Sequence, residues 1–488
     1  MYVNHIFRHA SEAPDSLAMV FNGQEVSYAD FARMVDGARN SLIKTPPPSD
    51  GVVAVLTHNL YHDWVLLFAL WSLDYTTVAG TDWKTLQSLP IANIRSVVCL
   101  PGNPKAAAAA QARPDLAIIE LPRVLRSSAL EGKAPAPLGG KDDGAHIGYT
   151  SGTTGNFKAL LTKCRNFEAM LDGSNAGLGG QMRKDDIFFG YSFGPWTAVG
   201  FRSTLRAIRL GATIIVDQRS DWPEHFFDYP VTMTNFVPGL LDQVLQSDLS
   251  RPAHYPELLV QISGGFLDVD LARNLKEKLG CSILVAFGGT EIRMVFTRLV
   301  QTDEDAIWLD PVPNVRFEIV DEDDCLVAAG TEGILRVPLA PHEPREYLGD
   351  PEATAKFFRN GFFYPGDMAL CREDGRVRIL GRVADVLNLA GQKIPIEPFE
   401  LELRRMLGVS RLCAFVLQSE EGKEQLVVVI EGDRAPSQAR LQAMARQFPQ
   451  VGQLRVALMP EFPRGTNGMM KINRRKIIEQ VRESSKTG

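Results

Sequence analysis

Between residues 51 and 289, short apolar runs recur without the alternation of a half-exposed strand: GVVAVLT (51–57), SVVCLPG (96–102), ATIIVDQ (212–218), LLVQISGG (258–265) and SILVAFGG (282–289). A strand apolar on both faces must be covered on both faces, which is the situation of a parallel sheet flanked by helices. The intervening segments supply the helices. SYADFARMVDGARNSLI (27–43) has apolar residues at helical spacing behind a capping Ser27, and DWVLLFALWSL (63–73) reads as a buried helix. VPGLLDQVLQS (237–247) and DVDLARNLKEKLG (268–280) continue the alternation. The pattern predicts an α/β fold built on mostly parallel sheets covered by helices.

The texture changes near Val315. VRFEIVDEDD (315–324), GILRVPLA (333–340) and RVRILGRV (376–383) predict a small β-rich subdomain with turn residues between its strands. Beyond Arg382, IEPFELELRRML (396–407), LCAFVLQ (412–418), QLVVVIEG (425–432) and SQARLQAMARQF (437–448) predict a compact α+β unit. A chain of 488 residues exceeds one ordinary core. Two domains are therefore expected, a large one over 1–383 and a small one over 384–488.

A net charge of −6, spread along the chain, offers no basic footprint for nucleic acid. The longest apolar run, WVLLFALWSL (64–73), is too short to cross a bilayer, so no membrane span is expected. The first residues, MYVNHIFRHASEAPDS, lack the apolar stretch of a secretory signal. Cys99, Cys164, Cys281, Cys325, Cys371 and Cys413 form no CxxC pair, and the histidines add no metal-spaced cluster. Reduced cysteines in a cytoplasmic protein are expected.

One stretch is poor core material. YTSGTTGNFK (149–158) crowds hydroxyls and glycines ahead of Lys158, and such residues bury little apolar area while leaving amides to satisfy. They suit a loop that wraps an anion, with Lys158 adding a mobile charge. The order of Gly152, Gly155 and Lys158 is neither GxxxxGK[ST] nor GxGxxG. It resembles the Y-T-S-G-T-T-G-x-P-K-G signature of the adenylate-forming superfamily of acyl-CoA synthetases, peptide-synthetase adenylation domains and luciferases. Phe157 and Ala159 stand where Pro and Gly are usual. The resemblance implies that Thr150, Ser151, Gly152, Thr153, Thr154, Gly155 and Lys158 surround the phosphates of ATP.

Four further stretches resemble the superfamily's motifs, in its order. AFGGTEI (286–292) is similar to Y-G-x-T-E, which implies that Phe287 and Gly288 sandwich the adenine. Thr290 would then meet the α-phosphate, and Glu291 would hold the Mg²⁺ carried by the phosphates. GFFYPGDMA (361–369) resembles G-W-x-x-T-G-D and gives Asp367 the ribose hydroxyls, since a carboxylate accepts from a vicinal diol. GRVADVLNLAGQKIPIEPFELE (381–402) resembles the hinge segment. There Arg382 also touches the ribose, and Ala384 takes the hinge position where Asp or Lys is usual. Gly391 and Lys393 lie on the loop used for thioester formation. PRGTNGMMKINR (463–474) resembles P-R-T-x-x-G-K-[I/V]-x-R, making Lys471 the catalytic lysine of adenylation, although Met469 and Met470 separate it from Gly468. The resemblance also makes 384–488 a mobile domain.

The implied chemistry is activation of a carboxylic acid by MgATP, followed by transfer to CoA. FGYSFGPWTAVG (189–200) corresponds to the region where amino-acid-activating relatives carry Phe-Asp; here the pair is Phe193-Gly194. A buried ammonium would go unpaired, so α-amino acids are not expected substrates. Phe193, Gly194, Trp196, Val199, Gly265, Phe266, Gly288 and Met294 are the candidate pocket for an apolar acyl or aryl group. Arg293 is a candidate contact for a polar or second carboxylate group on the substrate. Two alternatives stand beside the CoA ligase: an acyl-AMP ligase that loads a carrier protein's phosphopantetheine, and a nucleotide-binding homologue without catalysis.

Overall fold

Val52–Val55 is buried at every position because it lies inside a six-stranded sheet. The order is Ala117–Glu120, Ile94–Cys99, Val52–Val55, Thr76–Ala79, Ala145–Ser151 and Phe157–Lys163. All neighbours run parallel except the final pair, which is an antiparallel hairpin. The helix Leu60–Trp71 buries nearly its whole length, with Trp64 stacked on Phe201. The expected helix at 27–43 is Tyr28–Lys44, and the Ser27 hydroxyl accepts from the Asp30 amide at 3.0 Å. Among the described residues, no helix is long and apolar enough to cross a membrane.

The computed structural model describes residues 1–122, 138–139, 141–151, 157–172, 181–190, 193–219, 224–247, 257–265, 267–389, 392–418, 424–448, 454–463 and 472–484. A second sheet includes, in order, Met294–Leu299, Ser282–Gly288, Leu259–Ile262, Met233–Phe236, Ile187–Phe189, Thr213–Val216, Leu17–Phe21 and Gln24–Ser27. Its inner pairs are parallel, and the strands at either end are antiparallel. Both sheets belong to one compact unit, Met1–Ala306 with Pro311–Arg316 and Pro338–Phe363. The architecture is the expected α/β one.

The second compact unit comprises Ile307–Asp310, Phe317–Val337 and Tyr364–Gly488. It contains the β-rich part, in which Asp367–Cys371 pairs antiparallel with Val377–Arg382. Farther along, Leu412–Gln418, Glu424–Glu431 and Leu454–Met459 form a three-stranded sheet. The helix Ile396–Leu407 packs its apolar stripe, including Phe399, Leu403 and Leu407, into a core that runs from Leu387 to Val481. All six cysteines are free thiols, four of them buried.

A buried relay fixes the backbone next to the hydroxyl-rich hairpin. The Trp71 indole donates to Thr77 Oγ1 at 2.8 Å, and Thr77 Oγ1 lies 3.0 Å from His146 Nδ1. His146 Nε2 is 3.0 Å from the Pro195 carbonyl, and the ring stacks on Phe201 at 4.8 Å. A carbonyl only accepts, so Nε2 carries the proton and Nδ1 takes the Thr77 hydroxyl. The next carbonyl, Trp196, accepts the Tyr149 amide at 3.1 Å, so Pro195 and Trp196 are tied to the strand that leads into the loop. Burial pushes His146 from its ordinary 6.5 down to about 4. The folded state thus binds fewer protons than the unfolded one between those values, and the stability involved is present above the unfolded value. It is lost as pH falls through this window, by up to about 3 kcal/mol. Urea unfolding at about pH 7.5 and about pH 4.5 should show this loss, and His146→Gln should remove most of it.

Candidate active site

The turn Gly289–Ile292 joins the antiparallel strands Ser282–Gly288 and Met294–Leu299, whose register shifts between Phe287 and Gly288. Only glycine fits at 288. A Cβ there would come 2.9 Å from the Arg293 carbonyl oxygen and 3.1 Å from Met294 Cα. The turn's carbonyls are taken by one side chain. Arg202 Nη1 donates to Gly289 and Ile292 at 2.9 Å each, and Nη2 donates to Thr290 at 3.0 Å. Arg202 rises from the helix Ala198–Leu210, which is capped by Thr197. Burial pulls its guanidinium below its ordinary value, while the charges of Glu343 and Glu291 pull it back.

Glu343 closes the far side of the turn. Its Oε1 accepts the Arg293 amide at 2.8 Å, and Oε2 accepts Arg293 Nη1 at 2.8 Å and the Ala340 amide at 2.7 Å. The two side chains are 11% and 4% exposed. This changes the reading of Arg293 as a contact for a polar or carboxylate group of a substrate. A buried guanidinium requires a partner, and Glu343 supplies it from within the chain.

Two of the expected phosphate-site residues meet at a third that the sequence did not single out. The hairpin register pairs Thr150 with Lys158 and Ser151 with Phe157, so residues 152–156 connect the two strand ends. Lys158 Nζ lies 3.7 Å from the Phe357 ring centroid and 4.9 Å from that of Tyr347. The Tyr347 hydroxyl donates to Glu291 Oε1 at 2.7 Å. Leu348 then bonds back to the hairpin, its amide reaching the Ala159 carbonyl at 2.9 Å. Glu291 and Thr290 are half-buried. One carboxylate beside one hydroxyl is a sparse donor set, and it suits Mg²⁺, which keeps several waters and takes one or two carboxylates plus substrate phosphates.

The candidate acyl wall is partly assembled. Phe193, Gly194 and Trp196 are buried, and Val199 and Met294 are half-buried. The Trp196 indole occupies the space a side chain at 194 would need, since a Cβ there would lie 2.3 Å from the ring. Half-buried Phe287 packs against Phe296 with ring centroids 5.7 Å apart. Gly265 is exposed beside Pro238.

In the second unit, Asp367 and Arg382 are register partners across adjacent strands. Arg382 Nε lies 3.3 Å from Asp367 Oδ1, and its Nη1 donates to the Pro365 carbonyl at 2.5 Å. Ala384 is exposed in the turn before the strand Val386–Leu389. Lys393 pairs in register with Asn388. Gly152, Thr153, Thr154, Gly155, Phe266, Gly391 and Lys471 lie outside the described residues, as do the side chains of Ser151 and Lys393. The Asn473 amide donates to the Pro463 carbonyl at 2.7 Å. Arg474 then grips buried Glu400 with two bonds of 2.7 Å each. Burial pulls Arg474 down, but the Glu400 hydrogen bonds and charge outweigh it and hold the guanidinium above its ordinary value.

Sequence reading missed Arg202, Glu343, Tyr347 and Phe357. AVGFRSTLRAIRL carries three arginines, and Arg206 rather than Arg202 is among the buried residues of that helix, so no pattern set Arg202 apart. The packing of Trp196 against Gly194 also has a measurable consequence. Gly194→Ala should cost about 1–3 kcal/mol through overpacking. In chemical denaturation, adding Trp196→Ala should abolish that increment.

A 2-hydroxy-7-methoxy-5-methyl-1-naphthoate–CoA ligase of Streptomyces carzinostaticus is 29% identical over 317 residues, covering 61% of this chain and 55% of the relative. A long-chain-fatty-acid–CoA ligase of Escherichia coli O157:H7 is 26% identical over 355 residues, covering 70% and 62%. The chain thus spans little more than half the length of these relatives. ATP-bound MatB from Rhodopseudomonas palustris shares the fold, with a TM-score of 0.81 at 22% identity over 99% of each chain. Residues 6–338 match the AMP-binding enzyme family, and the chain belongs to that family, within the adenylate-forming superfamily that its motifs resemble.

Proposed function

We propose that the protein is an ATP-dependent acid:thiol ligase that activates a carboxylic acid as its acyl-AMP and passes the acyl group to CoA. The observation that carries this reading is the meeting of Lys158 and Glu291 at Tyr347. A cation and a carboxylate from distant parts of the chain stand at the end of a hydroxyl-rich hairpin. That is the equipment for a polyphosphate that arrives with a divalent cation.

In the first step a carboxylate oxygen attacks the α-phosphorus. The new O–P bond forms as the bond to the bridging β-oxygen breaks, and pyrophosphate leaves. A carboxylate is a weak nucleophile, so the protein must contribute alignment and charge neutralisation. Thr290 and Lys471 are assigned to the α-phosphate and its developing charge, Lys158 to the phosphates beyond. Asp367 and Arg382 would hold the ribose. Glu291 would hold Mg²⁺, which neutralises phosphate charge when bound. In the second step a thiolate attacks the acyl carbon, the C–S bond forms, the C–O bond to phosphate breaks, and AMP leaves.

The segment from Ala384 onward is assigned as the mobile domain, and the separate core from Leu387 to Val481 supports that assignment. It would present Lys471 for the first step and the Gly391–Lys393 loop for the second. Gly194 beneath the Trp196 ring supports an apolar acyl or aryl substrate. The two CoA ligases named above act on an aryl acid and a fatty acid, which is the same range.

The test is AMP release from MgATP and CoA across short, long and aromatic carboxylic acids, run in parallel with a phosphopantetheinyl carrier protein. Release with CoA is the expected result; release only with the carrier would move the assignment to carrier loading. No release and no pyrophosphate exchange with any acid would overturn the ligase reading. Lys471→Ala should slow pyrophosphate exchange about a hundred- to a thousandfold, the usual cost of losing one preorganised donor.

A further inference from the structure

We propose that Tyr347 is a positioning residue for both charged handles of the phosphate site. Its ring, together with Phe357, seats Lys158, and its hydroxyl orients Glu291. The inference rests on the ATP reading above and goes beyond the motifs that suggested it.

The argument begins with what each handle needs. A lysine loses side-chain rotamer freedom when it is held in one place. An aromatic face attracts the ammonium without neutralising it, so the charge stays usable by an incoming phosphate. Lys158 Nζ lies above Phe357 at 3.7 Å and Tyr347 at 4.9 Å. Glu291 has the converse requirement: its carboxylate must be aimed yet remain an anion for a metal. A neutral phenol donating to one oxygen at 2.7 Å does this and leaves the carboxylate its charge. Tyr347 gives each charge a partner that a nucleotide and its cation can displace or supplement cheaply.

The seat is itself held firmly. Tyr347 is 3% exposed. Its amide donates to Thr354 Oγ1 at 2.9 Å, inside the helix Pro351–Phe357 that Asp350 caps. The ring packs edge-on against Phe357 and Phe358, with centroids 6.1 Å and 5.1 Å away. The next amide, Leu348, is bonded to Ala159, the neighbour of Lys158. A few residues earlier, Glu343 holds the amide of Arg293, two residues past Glu291. One segment, 343–357, therefore braces the lysine's strand and the glutamate's turn together.

The Tyr347 hydroxyl and the aromatic seat that Tyr347 shares with Phe357 separate by mutation. ATP binding would be measured by calorimetry on the full chain, once with Mg²⁺ and once with EDTA. Tyr347→Phe keeps the ring and loses the hydroxyl. It should reduce the Mg²⁺-dependent gain in ATP affinity about tenfold and leave the affinity in EDTA unchanged. Phe357→Leu should weaken ATP about three- to tenfold in both conditions while keeping the Mg²⁺ gain, and Phe357→Tyr should restore it. A wild-type Mg²⁺ gain in Tyr347→Phe, an unaltered affinity in Phe357→Leu, or equal losses in both conditions for both variants would each overturn the assignment. Wild-type protein that binds no ATP in either condition would remove the ATP reading itself, and this inference with it.

Discussion

A reversal built from Gly289, Thr290, Glu291 and Ile292 leaves backbone carbonyls with no strand to bond, and one guanidinium, that of Arg202, answers three of them. Each buried carbonyl left unpaired would cost about 1–3 kcal/mol, so the turn holds its shape only while Arg202 is in place. With the backbone carbonyls satisfied by Arg202, the Glu291 carboxylate is held separately by the Tyr347 hydroxyl. The helix that carries Arg202 begins at the Thr197 cap, directly after Trp196. One helix thus ties the candidate acyl wall to the Gly289–Ile292 turn. Displacing it would move both.

Charges in this protein divide by their surroundings. Arg293 with Glu343 and Arg474 with Glu400 are ion pairs whose carboxylates are buried and hydrogen-bonded to backbone amides as well. Breaking such a pair costs about 3–5 kcal/mol because one charge is left stranded. These pairs are suited to holding loops in register, and both stand close in sequence to residues assigned to chemistry. Lys158 and Glu291 are different. They are half-buried, Lys158 against aromatic rings and Glu291 accepting from a phenol.

Much of the architecture could be read from pattern because its causes are local. Ser27 caps the helix it was expected to cap, and Gly280, with φ near 64°, ends the helix Val269–Leu279 in the left-handed conformation that glycine favours. The apolar runs became buried parallel strands. The order of the motifs likewise announced the superfamily. Arg293 shows the limit: two residues past Glu291 it looked available to a substrate, yet Glu343, fifty positions on, claims it. Nothing in the spacing of REYLGDPEAT marks Tyr347 as the residue under Lys158 and beside Glu291.

The amino-acid order by itself determined most helices and strands, the hydroxyl-rich stretch and the succession of motifs, since caps, periodicity and glycine positions act within a few residues. The tertiary structure alone decided which charges are consumed as buried braces and which stand half-buried beside aromatic rings and a phenol. That outcome depends on which strands lie side by side and on what each side chain then finds within about 3 Å, the reach of a hydrogen bond.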